Sequence, residues 1–180
     1  VDDPTPENYF ISLLADYIIE GLYFYNGFIY FYNLASRMLM SGCADIFRTI
    51  NRDELSHVRL YQKLIPEAMA VFPHSVETIY ETFDAAVQHE ILWVNHNLGN
   101  AVLGISEQST EQYSKYLANT RLRAIGLEPL YPDPVFSKSP YSHLEKAADT
   151  KADASVKANF FEAGVTSYMM AEAIEGWDEF

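Results

Sequence analysis

Apolar positions recur along most of this chain at helical spacing, and no useful length alternates as a half-buried strand would. The first predicted helix runs from about Pro6 to Asn33, and proline suits a helix start because its missing N–H would be unpaired there anyway. This segment is apolar nearly all round and contains Gly21 and Gly27, which predicts burial with local irregularity near Gly27. A second helix follows the Ser41-Gly42 break and runs from about Cys43 to Ile65, with Pro66 ending it. Within it Phe47, Ile50, Glu54, His57 and Tyr61 recur at three and four residues, one stripe of a helix.

The third helix starts after Pro73 with Ser75 as N-cap and continues to about Leu98, before Gly99. The fourth starts near Ser109, which with Gln112 reads as a capping box, and stops at Gly126. Pro129, Pro132, Pro134 and Pro140 mark a loop stretch, followed by one short helix from Tyr141 to Ala148. The expected fold is therefore all-α, with residues 1–148 helical and residues 149–180 a tail. From Ala147 to Ala158 large apolar residues are nearly absent, so little buried surface offsets the cost of ordering the backbone.

Composition narrows the function classes. The 180 residues carry 12 Lys+Arg against 25 Asp+Glu, a net charge of -13 that would repel a nucleic-acid backbone. Hydrophobic residues at 49% indicate a globular chain, and apolar runs break too early to span a bilayer. The chain opens at Val1 without a basic, then apolar, leader, and its lone cysteine, Cys43, has no partner; a reducing cytoplasm is the expected compartment. A start at Val1 rather than Met points to processing, trimming or excision from something longer.

Candidate chemistry centres on Asn51-Arg52-Asp53-Glu54-Leu55-Ser56-His57. Glu54 and His57, at i and i+3, project from one helix face and can bind one Fe or Mn ion; this spacing recurs inside four-helix di-metal bundles. Chance supplies roughly 0.4 such pairs in a chain of this composition, so a solvated charge pair is the alternative. Glu20 interrupts an otherwise apolar run, Ile18-Ile19 before it and Leu22-Tyr23-Phe24 after it. A carboxylate buried there needs a metal or a cationic partner, for which Arg48 and Arg52 are available. Two antiparallel helices joined near Ser41 would bring Glu20 level with Glu54 and His57.

At this point the residues resemble a known family. Ile19-Glu20-Gly21-Leu22-Tyr23-Phe24-Tyr25-Asn26-Gly27-Phe28, followed by Arg52-Asp53-Glu54-Leu55-Ser56-His57, resembles the radical-generating small (β) subunit of class I ribonucleotide reductase. Gln88-His89-Glu90 with Trp93, and Tyr116-Leu117-Ala118-Asn119-Thr120-Arg121-Leu122 with Gly126-Leu127, look like its later helices. Phe160-Phe161-Glu162 and Val165-Thr166-Ser167-Tyr168 look like its C-terminal arm. The resemblance covers essentially the whole chain, in order.

That resemblance implies a ferritin-like di-metal bundle of which this chain is about half. It implies Glu20, Glu54 and His57 as metal ligands, and Phe24, Phe28 and Ile50 as the apolar pocket shielding a radical tyrosine. Asp53 would orient a ligand histidine and join the radical path, Tyr168 would relay the oxidising equivalent, and Trp177 and Phe180 would dock on the large subunit. Ordinary core packing is the alternative for Phe24 and Phe28, and an ordinary loop tyrosine for Tyr168. The metal pair would be iron first, with manganese or mixed Mn/Fe open.

The family's site takes two single carboxylates and two Glu-x-x-His pairs, whereas this sequence contains one such pair. The remaining ligands and the radical tyrosine would lie before Val1. Two completions are expected in order of preference: a complementary N-terminal half chain with its own Glu-x-x-His, or a ferritin-like homodimer that binds and oxidises iron between two copies. An inactive helical half keeping only its docking tail is a third. The first implies dimers of small-subunit assemblies that partner the large subunit.

Overall fold

A computed structural model describes residues 5–72 and 75–155 of the chain. It is helical throughout, and no strand occurs among the described residues. Tyr168, Trp177 and Phe180, with the tail from 156 onward, lie outside the described residues.

Helix α1 (Pro6–Ile18) begins where the Thr5 hydroxyl oxygen accepts the Asn8 N–H at 3.2 Å, with Pro6 in the first turn. Phe10, Leu13, Leu14, Tyr17 and Ile18 recur at helical spacing and are buried. The α-helix then gives way to a π-helical turn, Ile19–Tyr23, and resumes as α2 (Tyr25–Ser36). The predicted irregularity therefore exists but sits at Glu20 and Gly21, not at Gly27. Gly27 lies within α2, and a Cβ there would meet nothing within 4 Å.

A tight turn with left-handed Met38 and Met40 leads into α3 (Ser41–Val71). Pro66 does not end α3, although interior proline costs roughly 3 kcal/mol. The turns beyond it pack Ala68, Met69 and Phe72 on the core, with the Phe72 ring 6.2 Å from that of Phe10. That burial is what offsets the proline. Along α3 the predicted stripe splits by depth: Phe47, Glu54 and Tyr61 are half-buried, while Ile50 and His57 face outward.

Helices α4 (Ser75–Asn97) and α5 (Glu107–Ala124) pack against each other. The capping box of α5 is Ser106 with Ser109, one turn earlier than the Ser109–Gln112 reading. Ser109 is its inner member, and Gln112 instead donates its amide to the Val135 carbonyl. Gly126, at φ +84°, ends α5 as expected, and the Leu127 N–H turns back to the Leu122 carbonyl. The loop beyond is fastened by buried Asn119, whose amide donates to the Tyr131 carbonyl at 2.7 Å and accepts the Tyr131 N–H at 3.0 Å. After a 3-10 turn (Pro134–Ser137), α6 (Ser142–Ser155) continues past the Ala148 end read from the sequence.

The core is shared by all six α-helices; α3 packs along α1 and α2 and contributes Val58 and Ile65. A polar bridge crosses it: Asn26 of α2 donates to Glu90 of α4 at 2.9 Å and to Ser114 of α5 at 3.1 Å. Among the described residues no helix is long and apolar enough to cross a membrane.

Candidate metal centre

The π-helical turn and α3 bring three candidate ligands together. Glu20 leaves the turn, while Glu54 and His57 rise from neighbouring turns of α3. One ligand atom from each lies within 4.8 Å of the others. His57 Nδ1 is 2.9 Å from Glu54 Oε2 and 3.5 Å from Glu20 Oε2. The antiparallel packing predicted from the turn near Ser41 is thus present, and so is the level of the three side chains. Neither arginine proposed as an alternative partner for Glu20 takes that role: Arg48 pairs with Asp45 and lies over the Tyr32 ring, and no ion pair joins Arg52 to Glu20.

Electrostatics explains why this grouping is uncomfortable without a cation. Burial, then the neighbouring Glu54 carboxylate, raises Glu20 above its ordinary value. The hydrogen bond to Glu54, then the nearby Glu20 carboxylate, raises His57. Glu20 Oε2 is sealed from solvent yet has no well-directed hydrogen bond; the approach of His57 at 3.5 Å is a charge contact. A buried, orphaned carboxylate oxygen facing a second carboxylate and an imidazole fits a divalent Fe or Mn site, whose preferred donors are these. The residues fit one ion of the pair that the resemblance implies.

The pocket residues also meet. Phe24, Phe28 and Ile50 line one cavity of about 640 Å³ that reaches Glu54, with Tyr23 and Glu90 on its other walls. Their depths differ: Phe28 is 3% exposed and belongs to the core, whereas Phe24 is 40% and Ile50 37% exposed, at the rim. Asp53 is exposed on α3 and forms no hydrogen bond or ion pair among the described residues. His57 leans on Glu54 and Glu20, not on Asp53.

Two functional-looking residues, quoted in the resembling segments, receive no role from the sequence reading. Glu90 is 4% exposed, and burial pushes its carboxyl up to about 7 against the hydrogen bond from Asn26. Its signal, a carboxylate between Val87 and Val94 on one helical stripe, is the kind that singles out Glu20. Arg121 is 7% exposed on α5 among Leu117, Ala118 and Leu122, and its role depends on a distant helix that sequence spacing cannot bring near.

Comparison with known proteins identifies the family and the fold. The family model described as "Ribonucleotide reductase, small chain" matches residues 1–140. The ribonucleoside-diphosphate reductase subunit beta of Halalkalibacterium halodurans is 34% identical over 184 residues, covering 99% of this chain and 52% of that protein. Its Treponema pallidum counterpart is 31% identical over 166 residues, covering 89% and 46%. Among solved structures, the ribonucleotide reductase R2 subunit from Clostridium botulinum superposes with a TM-score of 0.76 at 38% identity, over 82% of this chain and 47% of that one. A class I ribonucleotide reductase from Bacillus halodurans gives 0.72 at 34% identity, over 78% and 46%. At these scores the ferritin-like helical fold is shared. The chain spans about half the length of the relatives it matches.

Proposed function

The chain belongs to the ribonucleotide reductase small-chain family, and we propose that it supplies one half of that subunit's di-metal centre. The observation that carries this reading is a convergent ligand set lying on an open face. Glu20, Glu54 and His57 gather within 4.8 Å, yet the His57 side chain remains 53% exposed, and Ile19, Phe24 and Ile50 lie nearby uncovered. A complementary segment bearing the second Glu-x-x-His would close this face and contribute the remaining ligands. Residues 1–148 then act as a half-bundle, and residues 149–180 as the tail that reaches the large subunit.

When bound, the metal pair supplies one-electron oxidising power for reduction of ribonucleotides to deoxyribonucleotides. Iron is the first choice, with manganese and mixed Mn/Fe also compatible with carboxylate and imidazole donors. The chain's own residues have separate tasks. Glu20 and Glu54 supply negative charge, and His57 must shed its proton to present Nδ1 as a ligand. Phe24, Phe28 and Ile50 keep water from the cavity beside Glu54. Asp53, without a hydrogen bond or ion pair among the described residues, is available to orient a histidine of the complementary segment. Tyr168 serves as the relay residue, and Trp177 and Phe180 anchor the tail on the large subunit.

A second reading rests on the same open face. Two copies of this chain would each bring one carboxylate and one Glu-x-x-His, together a full ligand set, as in a ferritin-like homodimer that oxidises iron. Metal analysis of the chain alone and with a complementary segment separates the two. Binding only with the complement supports the first reading, and two metals per homodimer supports the second.

A further inference from the structure

The π-helical turn that carries Glu20 is the unusual element of this fold. Such turns pack less favourably than α-helix, occur mostly as single turns, and persist where surrounding structure holds them. Here the hold comes from α5. Arg121 Nε donates to the Gly21 carbonyl at 2.9 Å, one residue beyond Glu20. The guanidinium is buried, and among the described residues no carboxylate lies within ion-pair distance of it; it rests over the Tyr25 ring, 4.8 Å from the centroid. A buried cation is costly unless its donors are satisfied, so this carbonyl and this ring face are what make the position tolerable.

Both sides of the contact are shaped for it. A Cβ on Gly21 would stand 3.0 Å from Arg121 Nε and 3.3 Å from its Cδ, so glycine is what admits the arginine. On the other flank, the Tyr17 hydroxyl of α1 donates to the Arg121 carbonyl at 2.8 Å. Arg121 is thereby tied to the helix before the π turn and to the turn itself.

We propose that Arg121 is a positioning residue for the metal site: by holding the Gly21 carbonyl it keeps the π turn open and aims Glu20 at Glu54 and His57. Released, the turn closes toward α-helix and rotates the Glu20 side chain away from its neighbours. The inference rests on the metal reading above and deepens it.

The test titrates Co(II) into the assembled small subunit containing this chain and follows its visible d–d absorption alongside thermal stability. Arg121→Met and Gly21→Ala are each expected to weaken Co(II) binding roughly tenfold or more and to alter the absorption band, as changes behind a ligand typically do. The double variant should lose little beyond either single one, because both break one contact. Arg121→Lys keeps the charge but not the rigid Nε–H donor, and should not rescue the band. Ile79→Val is the control for stability: Ile79 is fully buried on α4, outside the Arg121–Gly21 contact, so the variant should lower the melting temperature and leave the band and affinity unchanged. An unaltered band and affinity in Gly21→Ala, or equal metal loss in Ile79→Val, overturns the positioning role alone. Failure of the unaltered assembly to bind Co(II) overturns the metal reading, and the inference with it.

Discussion

Glu20 Oε2 and His57 Nδ1 face each other at 3.5 Å across the gap between the π turn and α3, and Glu54 Oε2 lies 2.9 Å from the same nitrogen. Without metal, a proton on His57 is the only positive charge between the two carboxylates. A proton on His57 and a bound metal would therefore compete for one place.

Metal loading should accordingly fall as pH drops through a point above the ordinary imidazole value of 6.5, because the Glu54 hydrogen bond and Glu20 raise His57. The sign for the metal-free protein is opposite. The paired imidazolium contributes stability that is complete below 6.5 and lost as pH rises through the raised value. Isothermal titration of Mn(II) between pH 5.5 and 8 checks the first statement, and an affinity independent of pH would contradict it.

Glu90 should make metal-free stability fall between pH 4.5 and about 7, since its folded-state value lies at about 7 against an ordinary 4.5. The folded chain holds the proton longer, so stability is complete below 4.5 and reduced above 7, by about 3 kcal/mol at most. Glu90→Gln keeps an acceptor for Asn26 and removes the charge. Urea unfolding should find it more stable than the unaltered protein at pH 8 and similar at pH 4.5; equal stability at pH 8 would contradict this.

Phe28 and Phe24 line one cavity at different depths, and truncation should separate them. Phe28 packs 5.5 Å from Tyr25 and 6.2 Å from Phe47, ring to ring, so Phe28→Ala should cost about 3–5 kcal/mol. Phe24→Ala, at the exposed rim, should cost under about 1 kcal/mol. Denaturant midpoints measure both, and equal losses would contradict the placement.

The convergence of Glu20, Glu54 and His57 was legible because its signals are local or nearly so: a lone carboxylate in an apolar run, and a Glu-x-x-His on one helix face. The all-helical fold followed from periodicity in the same way. The π turn was not legible at Gly21, because Gly21 and Gly27 look alike in sequence and only Arg121, brought near by folding, distinguishes them. Pro66 misled for a related reason: the local proline penalty is real, but the packing of Met69 and Phe72 outweighs it. Ser106 and Ser109 are both chemically able to cap α5, and the backbone chose the earlier one.

Tyr168→Phe should leave metal loading unchanged and stop ribonucleotide reduction with the large subunit, because a phenyl ring cannot give up a proton and electron together as a phenol can. The relay role rests on the Glu162-to-Tyr168 resemblance, and wild-type turnover by this variant would rule it out. A peptide spanning Glu172 to Phe180 should likewise inhibit by competing for the large subunit; no inhibition at large excess would remove the docking role of Trp177 and Phe180.

The most direct test of the central claim is metal content by elemental analysis after anaerobic loading, on the chain alone, with its complementary segment, and with Glu54→Ala or His57→Ala in the pair. A two-metal centre is expected only with the complement, and its full loading should be lost in either variant while helical circular dichroism stays near that of the unaltered protein. Two metals per homodimer of this chain alone, no metal in any combination, or full loading in either variant would contradict the account.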